Sequence, residues 1–151
     1  MYSHDGLRDS LTNLAAPTLF YEALRRELSR VSRSGDQLSL VRFLLAPDQL
    51  ADERPAAQID DREVLKFSEI LAQLSREEEL CARMGELEFV SVLHGPSLVA
   101  QSFILRISDA WADNEENMYL ASSHVTALLG EESLALLNRL DSEHLSQQNH
   151  K

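Results

Sequence analysis

The sequence is poor in several things at once. Cys81 is its single cysteine in 151 residues, so no internal disulfide forms, and no Cys/His cluster has zinc-ligand spacing. Positive charge is scarce: 14 Lys and Arg stand against 25 Asp and Glu, a formal net charge of −11. A field of that sign repels phosphate backbones and anionic lipid headgroups, so neither nucleic acid nor a membrane surface is an expected partner. No apolar run approaches the roughly 18 residues of a membrane span. Met1-Tyr2-Ser3-His4-Asp5 does not read as a secretion signal, and there is no internal repeat or low-complexity tract. The expectation is a cytoplasmic protein with no metal and no cofactor; composition names no activity.

What is present is ordinary globular material, 44% hydrophobic and 26% charged. The length suits one domain that buries about 70% of its unfolded surface. Leu19, Phe20, Ala23, Leu24, Leu28 and Val31 recur at helical spacing. Pro17 suits the first helical position, Thr12 or Asn13 is placed to cap a preceding turn, and Ser34-Gly35-Asp36 stops the helix. Leu38 to Leu45 is almost continuously apolar, which predicts a central strand covered on both faces and ended by Pro47. Asp48 to Ile59 reads as a loop or frayed turn. A helix from Asp60 carries Val64, Phe67, Ile70, Leu71 and Leu74. Two short strands follow, Leu80–Met84 and Glu88–His94, with Gly85-Glu86 at the hairpin turn. Ser97 is placed to cap a third helix with Val99, Phe103, Ile104, Ile107 and Trp111. Asp113 to Asn117 is a turn, Met118 to Thr126 a strand, and Glu131 to Leu145 a last helix with Leu134, Leu136, Leu137 and Leu140. Gln147 to Lys151 is expected to fray. The order is α-β-α-β-β-α-β-α, an α/β fold with a βαββαβ core, about five strands and helices on both faces.

Few residues carry obvious chemistry. Glu86 and Glu88 flank a turn, where a carboxylate pair for acid/base work is conceivable, but alternation in a strand favours solvent or local hydrogen bonds. His94 precedes Gly95-Pro96 with no nucleophile motif tied to it, and His124 reads as a core-edge residue. His4, His144 and His150 sit near the termini and carry little. Cys81 reads as an inert small hydrophobe and Trp111 as core or an interface anchor. Arg25, Arg26, Arg30 and Arg33 are the only basic concentration, either paired with acids or offering a face to an acidic partner.

Four segments, in order, resemble the GGDEF domains, the diguanylate cyclases that join two GTP into cyclic di-GMP. Asp9-Ser10-Leu11-Thr12-Asn13-Leu14 is similar to that family's Asp-x-Leu-Thr-x-Leu opening. The helix ending Arg30-Val31-Ser32-Arg33-Ser34-Gly35-Asp36 and the strand from Leu38 resemble the elements that follow it. Arg76-Glu77-Glu78-Glu79-Leu80-Cys81-Ala82-Arg83-Met84-Gly85-Glu86-Leu87-Glu88-Phe89 resembles the Arg-x-x-Asp, spacer and Ala-Arg-x-Gly-Gly-Asp-Glu-Phe stretch. The resemblance implies a lead-in over 1–8, a degenerate GGDEF-like domain over 9–146 and a flexible tail over 147–151.

The resemblance also implies which positions would do chemistry. Cyclisation relies on two divalent cations, and hard cations take oxygen ligands. The family's metal-binding carboxylate positions fall on Leu44 and Leu87, with Ala46 at the next acidic position, and neither leucine can ligate. Glu88 remains. Gly85 keeps the first motif glycine, while Glu86 stands at the second, adding bulk and negative charge where phosphates approach the backbone. Ala16-Pro17 replaces an Asn-Arg pair, Asp52 and Arg62 fall at the guanine-reading positions, and Leu140 falls at the phosphate-meeting lysine. The implied reading is a GGDEF-like domain without cyclase activity that regulates by binding protein, either a signalling enzyme or a second copy of itself. Arg76 and Glu79 match the product-inhibition Arg-x-x-Asp site, so a non-catalytic receptor for cyclic di-GMP or GTP is the alternative. The solvated turn is favoured over that site.

Overall fold

The structure, a computed structural model, describes residues 6–47, 61–113 and 118–147. The loop read over Asp48–Ile59 (with Asp52), most of the turn at Asp113–Asn117, His4, His150 and the last four residues lie outside them. The elements run α1 (Pro17–Ser34), β1 (Leu38–Pro47), α2 (Asp61–Leu74), β2 (Leu80–Arg83), β3 (Glu88–His94), α3 (Ser97–Ala112), β4 (Met118–Thr126), α4 (Ser133–Ser142) and β5 (Ser146–Gln147). Removing α1, α4 and β5 leaves βαββαβ, the order expected from the hydrophobic periodicities.

All strand pairs are antiparallel, in the order β2-β3-β1-β4-β5, with β5 only two residues long. The nearly unbroken apolar run of β1 is explained by its central place: it pairs with β3 on one side and β4 on the other, and helices cover both faces. Val41, Phe43 and Leu45 face α2 and α3 in a core with Phe67, Phe89, Phe103 and Trp111. Leu38 and Leu40 face α1 and α4, with Val90, Val92, Val125, Leu136 and Leu140. Period-two alternation thus divides one strand between two cores.

Local signals explain most boundaries. α1 starts with Pro17, whose missing N–H would have had no helical partner, and ends at Gly35, whose φ of 83° is the left-handed cap that lets its N–H reach the Val31 carbonyl at 2.8 Å. Phe20, Leu24, Leu28 and Val31 form its buried stripe.

Several expectations need correction. Ser97 is the first residue of α3 and makes no cap bond; Pro96 occupies the cap position. Of Thr12 and Asn13, Thr12 does cap the turn before α1, its hydroxyl accepting from the Leu14 amide at 3.2 Å, but Asp9 shares that role, accepting from the Thr12 amide and hydroxyl at 2.8 Å each. The last helix is shorter than Glu131–Leu145 because Glu131 is spent on the preceding loop, accepting from the Leu128 amide at 2.9 Å; Leu134 is then 70% exposed. Gln147 does not fray, since β5 pairs it with Ala121.

Candidate functional site

The β2–β3 hairpin is closed by Met84–Leu87, with the Met84 amide donating to the Glu88 carbonyl at 2.8 Å. Register places Leu44 directly across from Glu88 on β3 and from Ala121 on β4, while Ala46 pairs with Tyr119. Arg42, Leu44, Ala46, Glu88 and Tyr119 therefore share the α1–α4 face toward the hairpin end. Arg42, Leu44, Ala46 and Glu88 are half-buried, and Tyr119 is 43% exposed.

Glu88 is not an idle carboxylate. Arg42 Nε donates to its Oε2 at 2.8 Å, with side chains only 18% and 30% exposed. Arg42 lies opposite Val90, so the pair is a diagonal cross-strand contact. Leu87 turns the other way: it packs against the aromatic core, and its carbonyl accepts from the Leu45 amide at 2.9 Å. Glu86 is exposed at the tip. A Cβ on Gly85 would meet only Glu88, at 3.5 Å, so packing alone does not require glycine there.

The hairpin is tied to the chain before α1. Arg83 meets Asp9 at 3.1 Å and donates to the Glu86 carbonyl at 2.8 Å. Burial pushes the Asp9 carboxyl up, but the Thr12 hydrogen bonds and the Arg83 guanidinium outweigh it and hold Asp9 below the usual carboxylate range. Ala15 runs along β2, donating to the Cys81 carbonyl at 3.2 Å and accepting from the Arg83 amide at 2.9 Å. Its neighbour Ala16 precedes α1 without a side-chain cap.

Arg76 and Glu79 lie at the other end of β2, separated from the hairpin turn by the whole strand. Glu79 Oε1 accepts from the Arg76 amide at 2.8 Å and the Glu79 amide donates to the Arg76 carbonyl at 2.9 Å. The acid closes its own turn, and the Arg76 side chain is exposed.

The remaining candidates take structural places. His94 Nε2 sits 3.0 Å from Glu27; burial pushes the Glu27 carboxyl up, but Arg30 and His94 more than offset it and hold it low. Cys81 lies between the Ser75 and Ser91 hydroxyls at 3.2 and 3.1 Å, and burial pushes its thiol up, away from thiolate character. Trp111 is core, donating to the Met118 carbonyl at 3.0 Å. Leu140 is buried against α1. His124 is half-buried at the core edge with Nδ1 unpartnered. On α1, Arg25 and Arg26 meet Glu22, Arg30 meets Glu27 and Arg33 meets Ser29, so the basic stretch is largely satisfied within its own helix. Among the described residues no group of three or more His, Cys, Asp or Glu is placed to hold a metal ion, and no helix is long and apolar enough to cross a membrane.

No curated protein matches the sequence. The family model described as "Diguanylate cyclase, GGDEF domain" matches residues 7–148. The chain belongs to the GGDEF family. Its structure resembles the GGDEF domain of DgcB from Caulobacter crescentus, solved with c-di-GMP, at 19% identity and a TM-score of 0.81 over 94% of this chain and 87% of that one. The diguanylate cyclase SiaD from Pseudomonas aeruginosa, solved with its activator SiaC, matches at 22% identity and 0.75 over 90% of this chain and 55% of that one. The FimX GGDEF domain from Pseudomonas aeruginosa matches at 15% and 0.73 over 89% of each. At such identities the likeness is one of fold.

Within this GGDEF domain, the stretch that resembles the family motif forms the hairpin turn and opens β3, with Phe89 fully buried. Leu44, Ala46, Glu88 and the turn come together; Arg76 and Glu79 do not join them. Sequence reasoning missed Arg42. Its signal was present, as the one charged residue inside the apolar run of β1, but the register that aims it at Glu88 needs both strands in place.

Proposed function

We propose that this GGDEF domain makes no cyclic di-GMP and acts in the cytoplasm as a regulatory module that binds another protein. The observation that carries this reading is the pair of leucines around the motif. Leu44 stands directly across from Glu88 and offers no oxygen, and Leu87 is committed to packing against the aromatic core. Two-cation catalysis needs several hard oxygen donors converging on one point. Here the one motif carboxylate on that face already accepts from a guanidinium. The residues present do not fit a pair of divalent cations, and exposed Glu86 adds negative charge where a triphosphate would come. Apolar groups in place of cleft charges favour stability once chemistry is not required, and Leu44, Ala46 and Tyr119 then offer a face suited to a protein partner.

The SiaD structure supports the idea that a cyclase of this fold is controlled by a separate polypeptide; a partner of that regulatory kind, or a second copy, is the occupant we favour. The test is incubation with GTP and Mg²⁺ or Mn²⁺ and chromatography of the products. No cyclic di-GMP is expected, and metal-dependent product overturns the reading.

A receptor for cyclic di-GMP is the second reading. It is favoured by the exposed Arg76 guanidinium and by the DgcB domain solved with that ligand. The Glu79 carboxylate, turned back onto the Arg76 amide, weighs against it. Calorimetry with cyclic di-GMP decides: a binding heat abolished by Arg76→Ala supports the receptor, and no heat removes it.

A further inference from the structure

We infer that Arg42 serves as a built-in cation at the hairpin end of the α1–α4 face, a positioning residue that holds Glu88 and weakens divalent metal binding at its carboxylate. The inference rests on the reading above, that this face does not run the cyclase reaction, and it says what the motif carboxylate does instead. Three observations converge. Register sets Arg42 and Glu88 on one face, one diagonal step apart. The Nε–Oε2 distance of 2.8 Å is that of a charge-assisted hydrogen bond. Both side chains are mostly withdrawn from water, at 18% and 30% exposure, so the attraction is screened less than at an open surface.

A guanidinium differs from a bound metal ion in ways that matter here. It remains charged at any pH the fold survives, its occupancy does not depend on ion concentration, and its donors are fixed to a central strand. A divalent ion arriving at Glu88 would either displace Arg42 from Oε2 or bind Oε1 with the guanidinium still beside it, and in both cases would meet a repulsion from the half-buried positive charge. Leu44 lies directly across from Glu88, with Arg42 one diagonal step away on the same face and holding that carboxylate, so putting an oxygen donor back at Leu44 does not by itself rebuild a metal site. Arg42 must go as well.

The experiment follows from that statement. Mn²⁺ is titrated by electron paramagnetic resonance into Leu44→Asp, into Leu44→Asp with Arg42→Met, and into the latter with Glu88→Gln added. Removing Arg42 is expected to tighten Mn²⁺ binding by at least about ten-fold, and Glu88→Gln to abolish the gain. Equal affinity with and without Arg42 overturns the inference. Should circular dichroism show that the Leu44→Asp chains do not fold, Tb³⁺ luminescence compares the natural chain with Arg42→Met alone. A Glu88-dependent signal confined to Arg42→Met is expected, and the same luminescence in both, or none in either, overturns the inference. No nucleotide or partner is present in these titrations, so their failure is distinct from that of the proposed function, which falls on cyclic di-GMP production.

Discussion

Phe43 and Leu44 are neighbours in β1 and look out on opposite faces of the sheet. Phe43 is fully buried, its ring 5.5 Å from Phe67 and 6.0 Å from Phe103; Phe67 in turn lies 4.9 Å from Phe89 and 5.5 Å from Trp111. Leu44 is half-buried beside an ion pair. The α2–α3 face is sealed by rings along the strand. The α1–α4 face is sealed around Leu38 and Leu40 by a core that is aliphatic apart from Phe20, and it also carries Arg42, Leu44, Ala46 and Tyr119. The fold draws its stability from the first face and from the covered part of the second, which leaves the hairpin end free to vary without loss of the framework.

The strongest test of that contrast is a matched pair of truncations. Phe43→Ala is expected to cost about 3–5 kcal/mol, since it opens a cavity among rings that cannot all collapse onto it. Leu44→Ala is expected to cost less, about 1 kcal/mol, because part of the removed surface was already wet. Urea unfolding measures both, and equal losses would show that the two faces are not finished differently.

A smaller effect separates the ion pair from its surroundings. A double-mutant cycle with Arg42→Met and Glu88→Gln is expected to give a coupling energy of about 1–2 kcal/mol, between the values for exposed and fully buried pairs. A coupling near zero would place the pair with ordinary surface contacts and remove the reason for Glu88 being held.

Much of the fold was legible because its signals are local. The 3.6-residue stripe of α1, Pro17 and Gly35 at its ends, the apolar run of β1 and the two short strands either side of Gly85 each identify an element without knowledge of the others. The errors came where a side chain acts at a distance. Glu131 looked like the start of α4 because nothing local says that its carboxylate accepts from the Arg139 side chain, at 2.9 and 2.8 Å, and from the Leu128 amide. Leu134 looked like core because helical spacing does not reveal that α4 buries only Leu136 and Leu140. At the hairpin end, Leu44, Gly85, Glu86, Leu87 and Glu88 were found by resemblance. Arg42 and the Asp9–Arg83 contact required the tertiary register that brings 42 to 88 and 9 to 83. Glu79 was seen beside Arg76, but its turn back onto the Arg76 amide depends on a backbone conformation that residue types alone do not dictate.

The smallest expected effect concerns the opposite end of the α1–α4 face, where the loop between β4 and α4 carries Leu128 and Leu129 at 62% and 86% exposure. Glu131 clamps that loop to α4 through Arg139, which also donates to the Thr126 carbonyl at 2.8 Å. The Arg139 hydrogen bond holds the Glu131 carboxyl below the usual glutamate range, with burial opposing and the Leu128 amide adding to it. A carboxyl that is more acidic in the folded chain than in the unfolded one binds fewer protons when folded, so its contribution is present above the ordinary glutamate pKa and is lost as pH falls through the folded value. Thermal unfolding of the natural chain and of Glu131→Gln is therefore expected to differ most near neutral pH, the natural chain melting higher, and to converge on acidification through the glutamate range. A gap independent of pH would mean that the clamp works by shape and not by charge. The loop end of this face would then lack the charge dependence that the Arg42–Glu88 cycle tests at the hairpin end.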